Sequence, residues 1–294
     1  MNLRDLEYLV ALAETRHFGR AAARCHVSQP TLSAQVRKLE EFLGVALVER
    51  RPRQVALTPA GAAVVERARR MLQDAEDIRG FARACQDPLS GPLKVGLIPT
   101  LGPYLLPRVA PRIAKALPKL QLLLHEYQTA PLVERTLAGE LDLAILALPA
   151  ETRGLVTRPL FEESFLVAMP ESHKFAARKR VKASDLEGER LLLLEEGHCL
   201  RDQALEVCAH VGTEEQSFRA TSLETLRQMV ASGLGLTLLP ELAAAGPFAS
   251  ARGLVVRPFA PPTPRRMIGA AWRRSTSRGE AIAAVCDQLA RSAP

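Results

Sequence analysis

Two cysteines, Cys199 and Cys208, lie nine residues apart in the segment GHCLRDQALEVC, and their spacing points to redox chemistry. A cysteine thiolate attacks a peroxide and becomes a sulfenic acid, which condenses with a second thiol to form a disulfide. On an α-helix nine residues make two and a half turns, so the two thiols would point to opposite faces, roughly 13.5 Å apart along the axis. A disulfide requires Cα atoms within about 7 Å of each other. Joining these cysteines therefore requires the segment between them to unwind.

The position of Cys199 favours it as the attacking thiol. We expect it in the first turn of a helix, where the positive end of the helix dipole and the nearby Arg201 both favour a thiolate. Cys208 is the only other cysteine nearby in the sequence. On spacing alone, two unrelated buried cysteines remain an alternative. His198 and His125, each taken alone, are also open to an ordinary structural role.

The composition predicts a protein of more than one domain that resides in the cytoplasm. A chain of 294 residues is long enough for two or three domains, and its five cysteines are too few for a disulfide scaffold. No apolar run approaches the ~20 residues that span a membrane. The N-terminus lacks the apolar segment of a signal peptide. The cysteines show no paired CxxC spacing for a metal, and no nicotinamide or flavin motif is present, so we expect no metal and no cofactor.

The net charge of +7 predicts an anionic partner but does not locate its binding site. Residues 1–57 contain nine Arg and Lys against six Asp and Glu, whereas residues 250–294 contain eight against two. Net charge alone would thus favour the C-terminal end. The pattern of the charged residues favours the N-terminal end instead.

The N-terminal pattern predicts a helix-turn-helix. Apolar positions in residues 4–15 have helical spacing, and a short helix over 19–25 and a turn at 26–27 are followed by a helix capped by Ser28. In such a pair the second helix enters the DNA major groove. Its inner stripe is formed by Leu32, Val36, Leu39 and Leu43. The side chains expected to meet DNA are Ser28, Gln29, Pro30, Thr31, Ser33 and Arg37.

A basic hairpin is predicted directly after this helix. The segment VALVERRPRQVALT indicates a short strand, a basic tip at Arg50, Arg51 and Arg53, and a returning strand. Such a wing suits contacts with phosphates or the minor groove. The alternative is a solvated arginine cluster on an ordinary helical domain.

A long linker helix is predicted from Thr58-Pro59 to about Asp87. Its heptad seam would pair with a second copy of the chain, because the opposite face is heavily charged. Packing of the helix on its own domain is the alternative. The seam consists of Val64, Ala68, Met71, Ala75, Ile78, Ala82 and Cys85, of which Cys85 is expected to be buried as a small hydrophobic residue.

Beyond a break at 88–92, strand-like and helical segments alternate, which predicts a parallel α/β domain. Such sheets bind ligands at the carboxyl ends of their strands. Thr100, Thr129 and the pair His198-Cys199 each follow a predicted strand, so we expect them to converge on one crevice. For each threonine singly, capping of the next helix is an equal alternative.

The segment AAARCHVSQPTLSAQVRKLEEFLGVALVERRPRQVALTPAG resembles the winged helix-turn-helix of LysR-type transcriptional regulators. The segments IPTLGPYLLP, LHEYQT, EEGHCLRDQALEVC and FRATSLETLRQMVASGLGLTLLP resemble the hydrogen-peroxide-sensing members of that family. The resemblance implies a multidomain fold in which a two-lobed, periplasmic-binding-protein-like α/β regulatory domain follows the DNA-binding domain. The implied boundaries are 1–58 for the winged helix-turn-helix, 59–88 for the linker and dimerisation helix, and 89–294 for the regulatory domain, with lobe I at 89–162 and 267–294 and lobe II at 163–266.

The resemblance also implies a set of functional residues and partners. Cys199 would be the peroxidatic cysteine, Cys208 the resolving one, and a peroxide pocket would contain Thr100, Thr129, His198 and Arg266. The implied partners are pseudo-palindromic double-stranded promoter DNA, hydrogen peroxide, RNA polymerase, further copies of the chain as a dimer of dimers, and a thiol reductant such as glutaredoxin or thioredoxin. The chain would act in the cytoplasm at the nucleoid and control oxidative-stress defence genes. No membrane is among the implied partners.

Two other functions fit parts of the sequence. One is a LysR-type regulator triggered by a small ligand between its lobes, with inert cysteines. The other is an enzyme, a thiol peroxidase that carries a DNA-binding domain. Sustained turnover with a reductant would mark the enzyme, whereas a sensor reacts once per reduction cycle, and we expect a sensor.

Overall fold

The computed structural model describes residues 1–51, 54–208, 214–245 and 252–291. Within these ranges the side chains of residues 50, 51, 54, 83–85, 208 and 214–219 lie outside the description. The chain divides into two compact units, Met1–Ala82 and Arg83–Pro294. Each unit is built around a hydrophobic core.

The N-terminal unit contains the helices and the hairpin that the sequence predicts. Its elements are α1 (Leu3–Thr15), α2 (Phe18–Arg24), α3 (Gln29–Leu43), β1 (Val48–Arg51), β2 (Gln54–Leu57) and α4 (Pro59–Gln86), the last of which extends into the second unit. Polar side chains fix the helix starts. Asn2 and Asp5 form a capping box on α1, His17 caps α2, and Ser28 caps α3.

The hairpin is held against the helices by specific contacts. The carboxylate of Glu40 in α3 accepts the backbone N–H groups of Leu47 at 2.8 Å and Val48 at 3.1 Å. Thr58 donates its hydroxyl to the carbonyl of Ala46 at 2.7 Å. The start of α4 therefore closes over the hairpin, and Gly61 lies where a Cβ atom would be 2.0 Å from the Leu47 carbonyl oxygen.

Gly61→Ala is therefore expected to destabilise the N-terminal unit by about 1–3 kcal/mol, the usual range for an overpacked site. In a helix this substitution normally stabilises, so the predicted sign rests on the contact with Leu47. Urea denaturation followed by hydrogen exchange of residues 1–82 measures the effect. The control is Gly279→Ala, in the first turn of another helix with no neighbouring atom within 4 Å of the new Cβ. An equal change in the free energy of unfolding in the two variants would contradict the prediction.

The second unit alternates strands and helices. In chain order its elements are β3 (Gly91–Leu97), α5 (Gly102–Ala116), β4 (Leu120–Glu126), α6 (Thr129–Leu137), β5 (Leu143–Leu148), β6 (Leu155–Pro170), the 3-10 helix η1 (Ala183–Leu186), β7 (Arg190–Leu194), α7 (Cys199–Cys208), β8 (Glu214–Ala220), α8 (Leu223–Ala231), β9 (Thr237–Pro240), the 3-10 helix η2 (Glu241–Ala244), β10 (Leu254–Pro258), β11 (Arg265–Arg273) and α9 (Gly279–Ala290).

The α/β class is confirmed, but the expectation of a parallel sheet holds only in part. Strand β3 pairs in parallel with β4 and β5, and β7 pairs in parallel with β8. The long strand β6 instead pairs antiparallel with β9, β10 and β11, and β11 pairs antiparallel with β5. Sequence analysis did not identify β6, β8, β10 or β11 as strands.

Candidate functional site

The recognition surface of the N-terminal unit lies on the exposed side of α3. Leu32, Val36 and Leu39 are buried in the unit's core, as the sequence predicts. Of the candidate DNA-contacting residues, five are exposed and Ser33 is half-buried; the exposed five are Ser28, Gln29, Pro30, Thr31 and Arg37. Ser28 is also the helix cap, since its Oγ accepts the N–H of Thr31 at 3.3 Å. Apart from Arg37, about two turns further along, these candidate side chains therefore lie together at the start of α3.

The two strands of the basic hairpin are present, but two of the three arginines predicted at its tip lie in the first strand. Arg50 and Arg51 lie within β1, opposite Val55 and Gln54, rather than at the tip. Their side chains are outside the part of the chain that the structure describes, as is Arg53 altogether. The antiparallel pairing accounts for the difference, because β1 extends through both arginines.

The linker-helix seam is divided between two environments. Ala68 is buried in the core of its own unit, which matches the alternative of packing on the same domain. Further along, Met71 and Ile78 are exposed, at 45% and 70%. The side chain of Cys85 lies outside the description. The exposed part of the seam is the part available to a second copy.

Four of the predicted redox residues line one small pocket in the second unit. Thr100 follows β3, Thr129 is the first residue of α6, and His198-Cys199 stands at the start of α7. Strands β3 and β4 are parallel neighbours, so Thr100 and Thr129 lie at the same edge of their sheet. His198 and Cys199 follow β7, which belongs to a separate two-stranded sheet with β8. The other lining residues are Ile98, Pro99, Gln128 and Gly197.

Neither threonine caps a helix. The N-cap residues of α5 and α6 are Leu101 and Gln128, and neither helix has a side-chain cap hydrogen bond. The hydroxyl of Thr100, 2% exposed, accepts a hydrogen bond from Nη1 of Arg266 at 3.1 Å. The Oγ1 atom of Thr129 is buried and has no hydrogen-bond partner among the described residues. The capping alternative is therefore wrong, and both hydroxyls belong to the pocket wall.

Arg266 reaches the pocket through Thr100 rather than lining it. Its Nη2 donates to the Thr100 carbonyl at 3.1 Å, and its Nε and Nη2 each lie 2.8 Å from Oε2 of Glu163. Both charged side chains are fully buried. Buried charges persist only when paired and hydrogen-bonded, so the arginine and Glu163 form one unit.

His198 is buried beside the thiol, at 5% exposure. Burial lowers its pKa below the ordinary 6.5, and Glu195, whose Oε1 is 3.8 Å from Nε2, raises it by a smaller amount. The imidazole is therefore neutral at pH 7. A neutral imidazole can donate from one nitrogen and accept at the other.

Stability should fall as the pH drops through 6.5. Because burial lowers the pKa of His198 in the folded chain, the unfolded chain binds its proton first, and folding loses up to about 1.4 kcal/mol per pH unit in that window. His198→Gln should flatten this dependence, whereas His125→Gln, at an exposed position, should keep it. Urea denaturation between pH 5.5 and 7.5, read by fluorescence of the single tryptophan, Trp272, provides the measurement. Identical slopes of unfolding free energy against pH in the two variants would contradict this prediction.

The helix expected between Cys199 and Cys208, the two candidate redox cysteines, is present. The range of α7 is Cys199–Cys208, so the geometric argument for unwinding applies to this structure. Cys199 is half-buried, and the side chain of Cys208 lies outside the description. Gly197, at φ 92°, makes the tight turn before the helix, and a Cβ there would be 2.6 Å from Oε1 of Gln128.

The remaining described cysteines are poor redox groups. Cys286 is fully buried, and burial raises its pKa to about 11. Burial also raises the pKa of Cys25, with a smaller contribution from Glu7. At neutral pH both are thiols, the unreactive form.

Comparison with known families identifies the architecture. Residues 3–62 match "Bacterial regulatory helix-turn-helix protein, lysR family", and residues 86–294 match "LysR substrate binding domain". The chain belongs to the LysR family. Its LysR helix-turn-helix and regulatory domain correspond to the two units seen in the fold.

Within the LysR family the chain is similar to OxyR over nearly its whole length. It is 52% identical over 274 residues to the DNA-binding transcriptional dual regulator OxyR of Escherichia coli, which covers 93% of this chain and 90% of that protein. A full-length OxyR from Pseudomonas aeruginosa with a cysteine-to-aspartate substitution superposes with a TM-score of 0.76, at 44% identity, covering 98% of this chain and 94% of the other. A cysteine mutant of OxyR from Corynebacterium glutamicum with bound hydrogen peroxide gives 0.68, at 38% identity and coverages of 99% and 92%.

Three residues of this LysR regulatory domain were missed by sequence analysis. Glu163 is buried against Arg266, and Gln128 and Gly197 line the pocket. Gly197 was detectable, since a glycine two residues before a candidate reactive cysteine indicates a tight turn. Glu163 had a weaker signal, an acidic residue within the apolar stretch LFEESFLVAM. Among the described residues, no cluster of His, Cys, Asp and Glu could hold a metal ion, and no helix is long and apolar enough to span a membrane.

Proposed function

We propose that this LysR-type protein senses hydrogen peroxide through Cys199 and Cys208 and converts the oxidation into altered control of oxidative-stress defence genes. The observation that carries the proposal is the unpartnered, buried hydroxyl of Thr129 in the same small pocket as Cys199. A buried polar atom without a partner is unfavourable unless a ligand or water satisfies it. Hydrogen peroxide both donates and accepts hydrogen bonds, so it suits this position.

The size of the pocket disfavours a metabolite. Sites for small organic ligands are typically about 300–1,000 Å³, far larger than the space enclosed here. Its polar side chains are two threonine hydroxyls, a neutral imidazole, the Gln128 amide and the Cys199 thiol. At this position the alternative of a regulator triggered by a larger ligand is therefore disfavoured.

The first chemical step is attack by the Cys199 thiolate on one peroxide oxygen. A sulfur–oxygen bond forms, the oxygen–oxygen bond breaks, and the departing hydroxide takes a proton to leave as water. The hydroxyl of Thr100 accepts from Arg266, so its own proton is free to be donated towards a bound oxygen atom. Donors placed on the departing oxygen stabilise the negative charge that develops there.

The second step joins the two cysteines. The Cys208 thiol attacks the sulfenic sulfur of Cys199, a sulfur–sulfur bond forms, and a second water leaves. Two thiols lose two electrons in total, and one peroxide gains them. Because α7 separates the two cysteines, this step requires the helix to unwind. The shape change is the signal.

The DNA-binding half of the proposal rests on the recognition helix and the wing. The exposed residues at the start of α3 would contact base edges and phosphates, and Arg50, Arg51 and Arg53 would contact phosphates or the minor groove. A dimer of dimers, joined in part along the exposed seam of α4, would place one reading helix on each half-site of a pseudo-palindrome.

RNA polymerase and a thiol reductant such as glutaredoxin or thioredoxin complete the partners. A regulator that binds the chromosome acts in the cytoplasm, at the nucleoid, and it is not an enzyme because it reacts once per reduction.

Peptide mapping by mass spectrometry after one equivalent of peroxide tests the proposal. We expect a disulfide between Cys199 and Cys208 that dithiothreitol reverses. A chain whose cysteines all remain reduced would favour the ligand-triggered regulator. Continuous consumption of peroxide with a thiol reductant, without any change in DNA binding, would favour the peroxidase.

A further inference from the structure

Glu163 occupies a position fixed by the sheet. It lies on β6 directly opposite Arg266 on β11 in the antiparallel register. Side chains directly opposite one another in such a pair are close enough to interact. The pairing therefore brings the carboxylate and the guanidinium together inside the unit, where the side chains of both are fully buried.

Each oxygen of the Glu163 carboxylate has a different donor. Oε2 lies 2.8 Å from both Nε and Nη2 of Arg266. Oε1 accepts the backbone N–H of Leu242, in η2, at 2.8 Å. The carboxylate is thus anchored at one end by backbone and holds the arginine at the other.

Arg266 connects Glu163 to the pocket through Thr100. Its remaining donors reach Oγ1 and the carbonyl oxygen of Thr100, each at 3.1 Å. A hydroxyl that accepts from a guanidinium must direct its own proton elsewhere, and Thr100 lines the pocket with Cys199. The orientation of the Thr100 proton therefore depends on where Glu163 holds Arg266.

We propose that Glu163 is a positioning residue for the reaction of peroxide at Cys199, acting through Arg266 and Thr100. The inference rests on the proposed function and assigns to that site a residue that does not touch the pocket.

Glu163→Gln is a sharp test because both partners of the side chain are donors. Whichever way the amide turns, its NH2 group faces either the Leu242 N–H or Arg266, so one hydrogen bond is replaced by a repulsive contact. We expect the rate constant for oxidation of Cys199 by hydrogen peroxide to fall by about 10- to 100-fold, the effect of a reacting group displaced by up to ~1 Å. The rate of alkylation by iodoacetamide should stay close to wild type, since that reaction has no oxygen–oxygen bond to orient.

Glu162→Gln is the matched control. Glu162 is the preceding residue of β6 and pairs with Arg265 at 2.9 Å, but both side chains are more than half exposed. Removing its charge should leave both rate constants unchanged. Glu163→Asp provides a second variant, because the shorter side chain keeps the charge but cannot span Leu242 and Arg266 together, so it should react more slowly than wild type.

The outcomes separate the inference from the function on which it rests. A wild-type chain that does not react with peroxide at Cys199 contradicts the proposed function. If wild type reacts and Glu163→Gln reacts equally fast, only the role of Glu163 is overturned. Equal loss of the peroxide and alkylation rates would also overturn it, since that result indicates a general structural role. Should the glutamine variant not fold, a wild-type peroxide rate in Glu163→Asp overturns it in the same way.

Discussion

Replacing Cys199 with serine is expected to abolish the response to peroxide completely. The serine hydroxyl cannot form a sulfenic acid, and no other cysteine is placed to receive peroxide beside Thr100 and Thr129 in the described pocket. The variant should consume no stoichiometric peroxide, form no internal disulfide and give the same DNA footprint before and after treatment. Stopped-flow peroxide consumption and footprinting measure these effects.

Two further cysteine variants make the result specific. Cys208→Ser should still consume one equivalent of peroxide and stop at the sulfenic acid of Cys199, which dimedone traps. Cys286→Ser should respond like wild type, because the native thiol is buried with its pKa raised to about 11. A Cys199→Ser variant that retains the peroxide response would be incompatible with the proposed chemistry.

Replacing Arg266 with methionine is expected to destabilise the second unit by about 3–5 kcal/mol, the usual effect of removing one partner of a buried ion pair. Glu163 would remain buried with Leu242 as its one described hydrogen-bond donor. Thr100 would also lose the donors that hold both its oxygens. Urea denaturation followed by Trp272 fluorescence provides the free energy of unfolding.

The neighbouring arginine provides the comparison. Arg265→Met breaks an exposed ion pair with Glu162, and such pairs contribute about 0–1 kcal/mol. The two substitutions are adjacent in sequence and identical in chemistry, so their difference isolates burial. Equal losses of stability in the two variants would show that the Glu163–Arg266 pair does not stabilise the second unit as predicted.

The N-terminal unit was predictable because its signals are local. The cap Ser28, the periodic stripe that follows it and the glycine that ends α3 all lie in one continuous segment, from Ser28 to Gly44. The same holds for α7, where Cys199 begins the helix. Helices whose ends are marked by their own residues need little information from the rest of the chain.

The site was predictable only where it follows strand ends. Thr100 and Thr129 could be brought together because the parallel strands β3 and β4 share a carboxyl edge, whereas Cys199 follows β7 of a separate sheet. Glu163 could not, because its role depends on the antiparallel register of β6 with β11, which joins residues 103 positions apart. Non-local pairing of this kind has no local sequence signal. The implied lobe boundaries, for the same reason, stay a prediction.

The nine-residue spacing of Cys199 and Cys208 has a defined physical meaning in this structure. The intervening residues form α7, so a disulfide and an intact helix are mutually exclusive. Buried apolar residues of α7, such as Leu200 and Ala204, would have to leave their present contacts when the bond forms. Oxidation is thereby coupled to a rearrangement of the regulatory domain.

The most direct test of the central claim is a DNA footprint of the full chain in three states: reduced, oxidised with one equivalent of peroxide, and reduced again with dithiothreitol. In each state the cysteines are mapped in the same sample. We predict that the footprint changes when the disulfide between Cys199 and Cys208 appears and returns when it is removed. A complete disulfide with an unchanged footprint, or a changed footprint without the disulfide, would contradict the account.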